Sequence, residues 1–226
     1  MGIAANLEQV RKQVNDLVLQ NQRKSGAVSL LAVSKTKPLD DIIVAYEAGQ
    51  RLFGENYVQE VVDKHRSLSH LKDIEWHFIG PIQSNKSRLV AQHVDWVHTV
   101  DREKIAVRLS EQRPTEFSPL NVCIQVNISG ELTKSGISLA DLPALADFVA
   151  NLPHLELRGL MAIPAPQESF QEQMKVYEPL LSAYNELQTR FSNIDTLSIG
   201  MSGDMAAAVG SGSTMVRIGT AIFGSR

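Results

Sequence analysis

Leu7, Val10, Val14 and Leu17 recur at helical spacing with polar residues between them, which predicts an amphipathic helix at the start of the chain. Beyond it the pattern changes. Short apolar runs at 29–33, 51–53, 75–79, 96–100, 122–126, 155–163, 196–199 and 214–218 alternate with stretches of helical length. Runs this short, bounded by polar or glycine-containing segments, predict buried strands. Residues 38–49 open on Pro38, which suits a first helical turn. Within 138–151, Leu142, Leu145 and Phe148 or Val149 share a face. Within 168–190, Phe170, Met174, Tyr177, Leu181 and Tyr184 form a stripe at helical spacing, and Pro179 predicts a kink or a split there.

Eight strands with interleaved helices predict a (β/α)8 barrel with an extra N-terminal helix; an open doubly wound sheet is the alternative. No Gly/Ser linker, charge block or low-complexity tract interrupts the pattern, so one domain over residues 1–226 is expected. The 226 residues, 43% hydrophobic, are enough for a sizeable core. A net charge of -3 gives no single-sign field, so nucleic-acid binding is not expected. No apolar stretch is long enough for a membrane span and no secretory h-region is visible, so the expected setting is cytoplasmic. Met1-Gly2 lacks the Ser or Thr that myristoylation wants at position 6, which is Asn6. The lone Cys123 lies in an apolar run and reads as a buried structural thiol.

The candidate chemistry gathers where apolar runs turn polar. Lys35 ends the first run, at the C-terminal mouth where parallel α/β folds bind ligands. Partial desolvation there would lower its pKa and make it an amine nucleophile; a solvated strand-end lysine is the alternative. Phe53 leads into Gly54-Glu55-Asn56-Tyr57, Val126 into Asn127-Ile128-Ser129, Ile199 into Gly200-Met201-Ser202, and Val216 into Arg217-Ile218-Gly219-Thr220. In a barrel these clusters converge on one rim. The last two suit a phosphate. Ser202 could open a helix over 202–209, Gly219 lets backbone approach an anion, and Thr220 offers a hydroxyl. A lysine on the first strand and a phosphate cradle after the last two point to a phosphorylated aldehyde cofactor held as a Schiff base.

Other residues carry two readings each. His77 either stacks on a cofactor ring or fills the core; Arg217 either faces a ring nitrogen or forms a structural ion pair; Asn56 either bonds a ligand or caps a turn. Tyr57 and Met161 read as core, and His65 and His70, near Asp63 and Asp73, as a solvated face. No metal-ligand spacing, Walker loop, G-x-G-x-x-G or nucleophile elbow is present, and no metal is expected.

At these residues the chain closely resembles the pyridoxal phosphate homeostasis protein family, from the first helix to the last cluster. The blocks are Leu31-Ala32-Val33-Ser34-Lys35-Thr36-Lys37, Phe53-Gly54-Glu55-Asn56-Tyr57-Val58-Gln59-Glu60, Trp76-His77-Phe78-Ile79-Gly80-Pro81-Ile82-Gln83-Ser84-Asn85-Lys86, Lys134-Ser135-Gly136, Arg158-Gly159-Leu160-Met161, Gly200-Met201-Ser202 and 216–224. The resemblance implies a barrel like the N-terminal domain of alanine racemase. It implies pyridoxal 5'-phosphate as an aldimine on Lys35, its phosphate on Ser202, Gly219 and Thr220, its pyridine nitrogen facing Arg217, and its ring lined by His77 and Asn56. An arginine at that nitrogen makes the ring a poorer electron sink. Gly203 and Ala206 depart from the family's acidic residues, while Asp204 is kept.

The resemblance also implies a carrier that buffers pyridoxal phosphate, passes it to apoenzymes and keeps vitamin B6 and amino and keto acids in balance. The alternative is a pyridoxal-phosphate-dependent amino acid racemase, which needs an acid/base on each face of the substrate carbon. In alanine racemases the second base is a tyrosine of the partner subunit's C-terminal β-domain. No such domain is expected here, Tyr57 alone lies near a strand mouth, and a monomer without catalytic residues is expected.

Overall fold

A computed structural model of the chain describes residues 2–131 and 135–224; Lys134 lies outside them. Strands β1 (Ser29–Val33), β2 (Leu52–Glu55), β3 (Glu75–Phe78), β4 (Trp96–Val100), β5 (Leu120–Gln125), β6 (Leu155–Met161), β7 (Thr196–Ser198) and β8 (Met215–Ile218) are all parallel and close into a barrel in sequence order. Closure is direct: β1 pairs with both β2 and β8. That removes the open-sheet alternative. Helices α2 (Leu39–Glu47), α3 (Val58–Ser67), α4 (Ser87–His93), α5 (Glu103–Gln112), α6 (Leu142–Ala150), α7 (Phe170–Arg190), α8 (Met205–Gly210) and α9 (Thr220–Phe223) follow the eight strands in turn. The extra helix α1 (Ile3–Gln20) buries Leu7, Val10, Val14 and Val18 and packs on α2, α8 and α9.

The buried core lies mostly between strands and helices, where side chains such as Phe53, Phe78, Ile105 and Leu109 are fully enclosed. Each contributes about 1.5–3 kcal/mol relative to exposure. A separate cluster of Trp96, Cys123 and Met161 fills part of the barrel interior. Burial pushes the Cys123 thiol up, out of the range where a thiolate forms. Ellman's reagent is therefore expected to leave Cys123 unmodified in the folded protein and to react fully once denaturant is added. Prompt reaction without denaturant would contradict this burial.

Three local expectations change. Helix α7 runs unbroken through Pro179. Pro179 sits on the exposed side, where the carbonyl it leaves unbonded meets water, while Tyr177, Leu180, Tyr184 and Leu187 hold both halves on the barrel. Phe170, the first residue of the expected stripe, is exposed, because the helix starts there with a Ser169–Glu172 capping box. Tyr57 is not core: it is 51% exposed on the barrel rim. Among the described residues no helix is long and apolar enough to cross a membrane.

Candidate functional site

In a closed parallel barrel every strand ends on the same face. Lys35 lies two residues past β1, Asn56 directly after β2, Ser202 in the loop after β7, and Gly219–Thr220 directly after β8. Strands β7, β8, β1 and β2 are consecutive around the wall, so these residues share one sector of the rim. The contacts tie the sector together. Arg217 pairs in register with Leu31 and donates its backbone N–H to Gly200 O at 2.9 Å. A Cβ on Gly219 would stand 3.2 Å from Val33 O, so any larger residue would have to push β8 and β1 apart by a few tenths of an ångström. Lys37 Nζ donates to Phe223 O and Gly224 O at 3.2 and 3.1 Å, bridging the β1–α2 loop to α9.

Lys35 is half-buried, and among the described residues no hydrogen bond or ion pair engages its ammonium. Its flanks are pinned. Ser34 is fully buried, donating its N–H to Gly54 O at 3.0 Å and its hydroxyl to Glu55 Oε1 at 2.5 Å. Thr36 has φ of 63°, a left-handed conformation that costs an L residue roughly 1–2 kcal/mol. Its N–H donates to Glu60 Oε2 at 2.7 Å. Both acids share Lys64, whose Nζ donates to Glu55 Oε1 at 2.8 Å, Glu60 Oε2 at 3.1 Å and Ser34 O at 2.9 Å. Burial pushes the Glu55 carboxyl up, against the pull of Lys64 and Ser34. Burial also pushes Glu60 up, but its bonds from Thr36 and Lys64 outweigh that, and the carboxyl sits below its ordinary value.

On the other side of Lys35 the loops present backbone donors. The helix after β7 begins at Met205, not at Ser202 as expected. Asp204 holds the preceding turn: its Oδ1 accepts Met201 N–H at 2.6 Å, and its Oδ2 accepts the Tyr177 hydroxyl at 2.5 Å. The N–H groups of Ser202 and Gly203 stay free, with the Ser202 side chain exposed. After β8 the N–H groups of Thr220 and Ala221 begin a helical turn and have no acceptor either. Two sets of free amides and two hydroxyls, Ser202 and Thr220, suit the several acceptor oxygens of one anion.

Arg217 lies below this rim, buried. It donates to Ser198 O at 2.5 Å, Ser198 Oγ at 2.8 Å and Ala162 O at 3.0 Å, and burial pulls its pKa down. Among the described residues no carboxylate pairs with it, so the ion-pair alternative does not hold there. Ser198 Oγ lies 2.9 Å from His98 Nδ1, and His98 Nε2 lies 2.9 Å from His77 Nδ1. Arg217 can only donate, so Ser198 accepts from it. The Ser198–His98 and His98–His77 bonds take their direction from the tautomers of the two rings, and His77 Nε2 is a buried atom with no partner among the described residues. His77 stacks on Trp96 and lines a cavity of about 560 Å³ at the opposite, N-terminal mouth of the barrel. His77 therefore meets the rim residues only through His98, Ser198 and Arg217.

Asn56 is half-buried, and its Oδ1 is enclosed without a partner. With Tyr57, Gln59, Pro81, Gln83 and Lys86 it borders a cavity of about 500 Å³ on the rim. An enclosed orphan acceptor, an uncommitted lysine and two sets of free amides on one sector of the rim fit a ligand carrying a donor, an electrophile and an anion. Pyridoxal 5'-phosphate offers all three.

Residues 4–226 match the family described as alanine racemase, N-terminal domain. The chain belongs to that family. Within it, the pyridoxal phosphate homeostasis protein of Escherichia coli strain K12 is 59% identical over 226 residues, covering 99% of this chain and 97% of that protein. The pyridoxal phosphate homeostasis protein of Vibrio alginolyticus is 56% identical over 228 residues, covering 100% of this chain and 98% of that protein. Among solved structures, PipY of Synechococcus elongatus with PLP bound superposes with a TM-score of 0.85 at 36% identity, covering 98% of this chain and 100% of that one. At this identity and coverage the chain is a member of the pyridoxal phosphate homeostasis branch of the alanine racemase N-terminal domain family.

Sequence reading missed Lys64, Glu60, His98 and Ser198. Glu60 and Lys64 form an i,i+4 pair that reads as a solvated helix face, and only the docking of α3 on β2 and β3 buries Lys64. His98 and Ser198 sit inside strands with no local motif. Their one signal is a polar residue in an otherwise apolar run.

Proposed function

We propose that this chain binds pyridoxal 5'-phosphate at the β7–β8–β1–β2 rim and carries it, without turning over an amino acid. Lys35 condenses with the aldehyde: its amine nitrogen forms the C=N bond of an aldimine and the aldehyde oxygen leaves as water. Ser202, Gly219 and Thr220 hold the phosphate, and Asn56 meets the ring's polar edge. Arg217 faces the pyridine nitrogen, with His77 and His98 supporting it from below. The observation that carries this reading is the uncommitted Lys35 amine on the same rim sector as the free amides at 202–203 and 220–221. The relative PipY, solved with PLP bound, supports the ligand.

The homeostasis role follows from the same site. A guanidinium held by three neutral acceptors keeps its proton and does not protonate the ring nitrogen, which discourages carbanion chemistry. The chain would store the reactive aldehyde, deliver it to pyridoxal-phosphate-dependent apoenzymes and stabilise vitamin B6 and amino and keto acid pools, acting in the cytoplasm as a monomer. Racemisation needs a second base, and the tyrosines offer few. Tyr177 and Tyr46 donate to Asp204 and Asp73, and Tyr184 is buried, which leaves only exposed Tyr57.

Loaded protein mixed with a pyridoxal-phosphate-dependent apoenzyme is expected to restore that enzyme's activity while racemising no alanine in deuterated water. Solvent deuterium at the α-carbon of alanine would establish the racemase reading instead.

A further inference from the structure

The fold contains a device around Lys35 that cofactor binding does not itself require. Lys64 is a buried lysine on α3, yet its ammonium is spent on the two residues that flank Lys35. It holds Ser34 directly, through the carbonyl at 2.9 Å, and indirectly through Glu55, which accepts the Ser34 hydroxyl. It holds Thr36 through Glu60, the acceptor of the Thr36 N–H. Thr36 is a β-branched residue in left-handed backbone, a conformation that persists only where surroundings enforce it. Lys37 N–H closes the turn by donating to Ser34 O at 3.0 Å, the oxygen Lys64 also uses. The sheet fixes Ser34 and the network fixes Thr36, so the direction in which the Lys35 side chain leaves the backbone is set between them.

We propose that Lys64, with Glu55 and Glu60, is a positioning network that aims the Lys35 amine at the aldehyde of the bound ligand. It rests on the reading of Lys35 as the condensing amine. None of the three residues touches the ligand; they act through the backbone of residues 34 and 36. The network sets how readily the C=N bond forms and leaves the phosphate cradle on β7 and β8 alone. Lys64 is the hub because one ammonium supplies three donors to three acceptors, on the β1–α2 loop, β2 and α3. Methionine fills its volume without donating, and glutamine at Glu60 leaves a neutral acceptor of weaker hold.

Two ligands separate positioning from general scaffolding. Pyridoxal 5'-phosphate can condense with an amine. Pyridoxine 5'-phosphate carries an alcohol in place of the aldehyde and can only dock. Wild type, Lys64→Met and Glu60→Gln are compared for the rate and extent of the visible absorbance band with the first ligand, and for the Kd of the second by calorimetry. In both variants formation of the band is expected to slow by about tenfold or more, since small misplacements of a reacting group are costly. Pyridoxine 5'-phosphate is expected to bind as in wild type. Arginine at position 64 restores a cation with several donors, so Lys64→Arg is expected to recover part of the lost rate.

If Lys64→Met does not fold, Glu60→Gln carries the test, since Glu60 lies at the edge of the network. Equal loss of both ligands in folded variants would make the network a plain scaffold and overturn the inference. Wild-type behaviour of Glu60→Gln and Lys64→Met would overturn it as well. A wild-type protein that forms no band, yet docks pyridoxine 5'-phosphate, would instead overturn the reading of Lys35 on which the inference rests.

Discussion

Lowering the pH from 7 to 5 is expected to destabilise the protein by about 2 kcal/mol through His77, with His98 acting in the same direction. Both rings are fully buried. Burial pushes His77 down to about 3; for His98, burial, His77 and Arg217 act in the same direction. A histidine with a lowered folded pKa takes up its proton on unfolding. Its contribution is full above the unfolded value of 6.5 and is lost as pH falls from there toward the folded value. His77 by itself makes stability fall by about 2 kcal/mol between pH 7 and pH 5. Glu55 and Asp95 act oppositely: burial raises both, so their contribution is full below the ordinary carboxylate range and lost as pH rises through the raised values. The histidine part is isolated by difference. Denaturant titrations of wild type and His77→Gln at the two pH values should show about 2 kcal/mol less pH dependence in the variant. Identical pH dependence would mean His77 titrates normally in the folded state and is not enclosed.

Gly80→Ala is expected to cost about 3 kcal/mol and to weaken pyridoxal phosphate binding. A Cβ at Gly80 would stand 2.0 Å from Asn56 O, a backbone oxygen that cannot rotate away. Gly80 cannot withdraw either, because Thr99 Oγ1 donates to its carbonyl at 2.7 Å and Ile79 N–H is held by Glu55 O at 2.9 Å. The clash is therefore relieved by displacing the β2–α3 turn, which carries Asn56. The thermal midpoint should fall, and the Kd for pyridoxal phosphate should rise by about tenfold as Asn56 leaves its place. A variant with wild-type stability and affinity would show that this turn moves freely and that Asn56 contributes nothing to the site.

The barrel was legible because its strands are buried on both faces. They read as compact apolar runs, and all eight lie within a few residues of their expected places. The place of Lys35 on the rim was legible for a related reason, standing where an apolar run meets a polar segment. What stayed hidden depends on contacts between elements. Glu60–Lys64 spells a surface pair until α3 docks, and His98–His77 and Ser198–Arg217 are hydrogen bonds across the barrel interior that no spacing records. The helix after β7 was placed three residues early because Asp204, not Ser202, ties down the turn that precedes it. Pro179 was read as a break because sequence does not show that its face of α7 is solvent.

The central claim is that Lys35 is the amine that holds pyridoxal phosphate. The measurement is an ultraviolet–visible spectrum of the protein loaded with pyridoxal phosphate, before and after borohydride, followed by peptide mass mapping. A visible band that reduction abolishes, with the pyridoxyl group on the peptide containing Lys35, is the predicted result. A protein that stays colourless and unmodified, or one labelled elsewhere with Lys35 intact, would contradict the account.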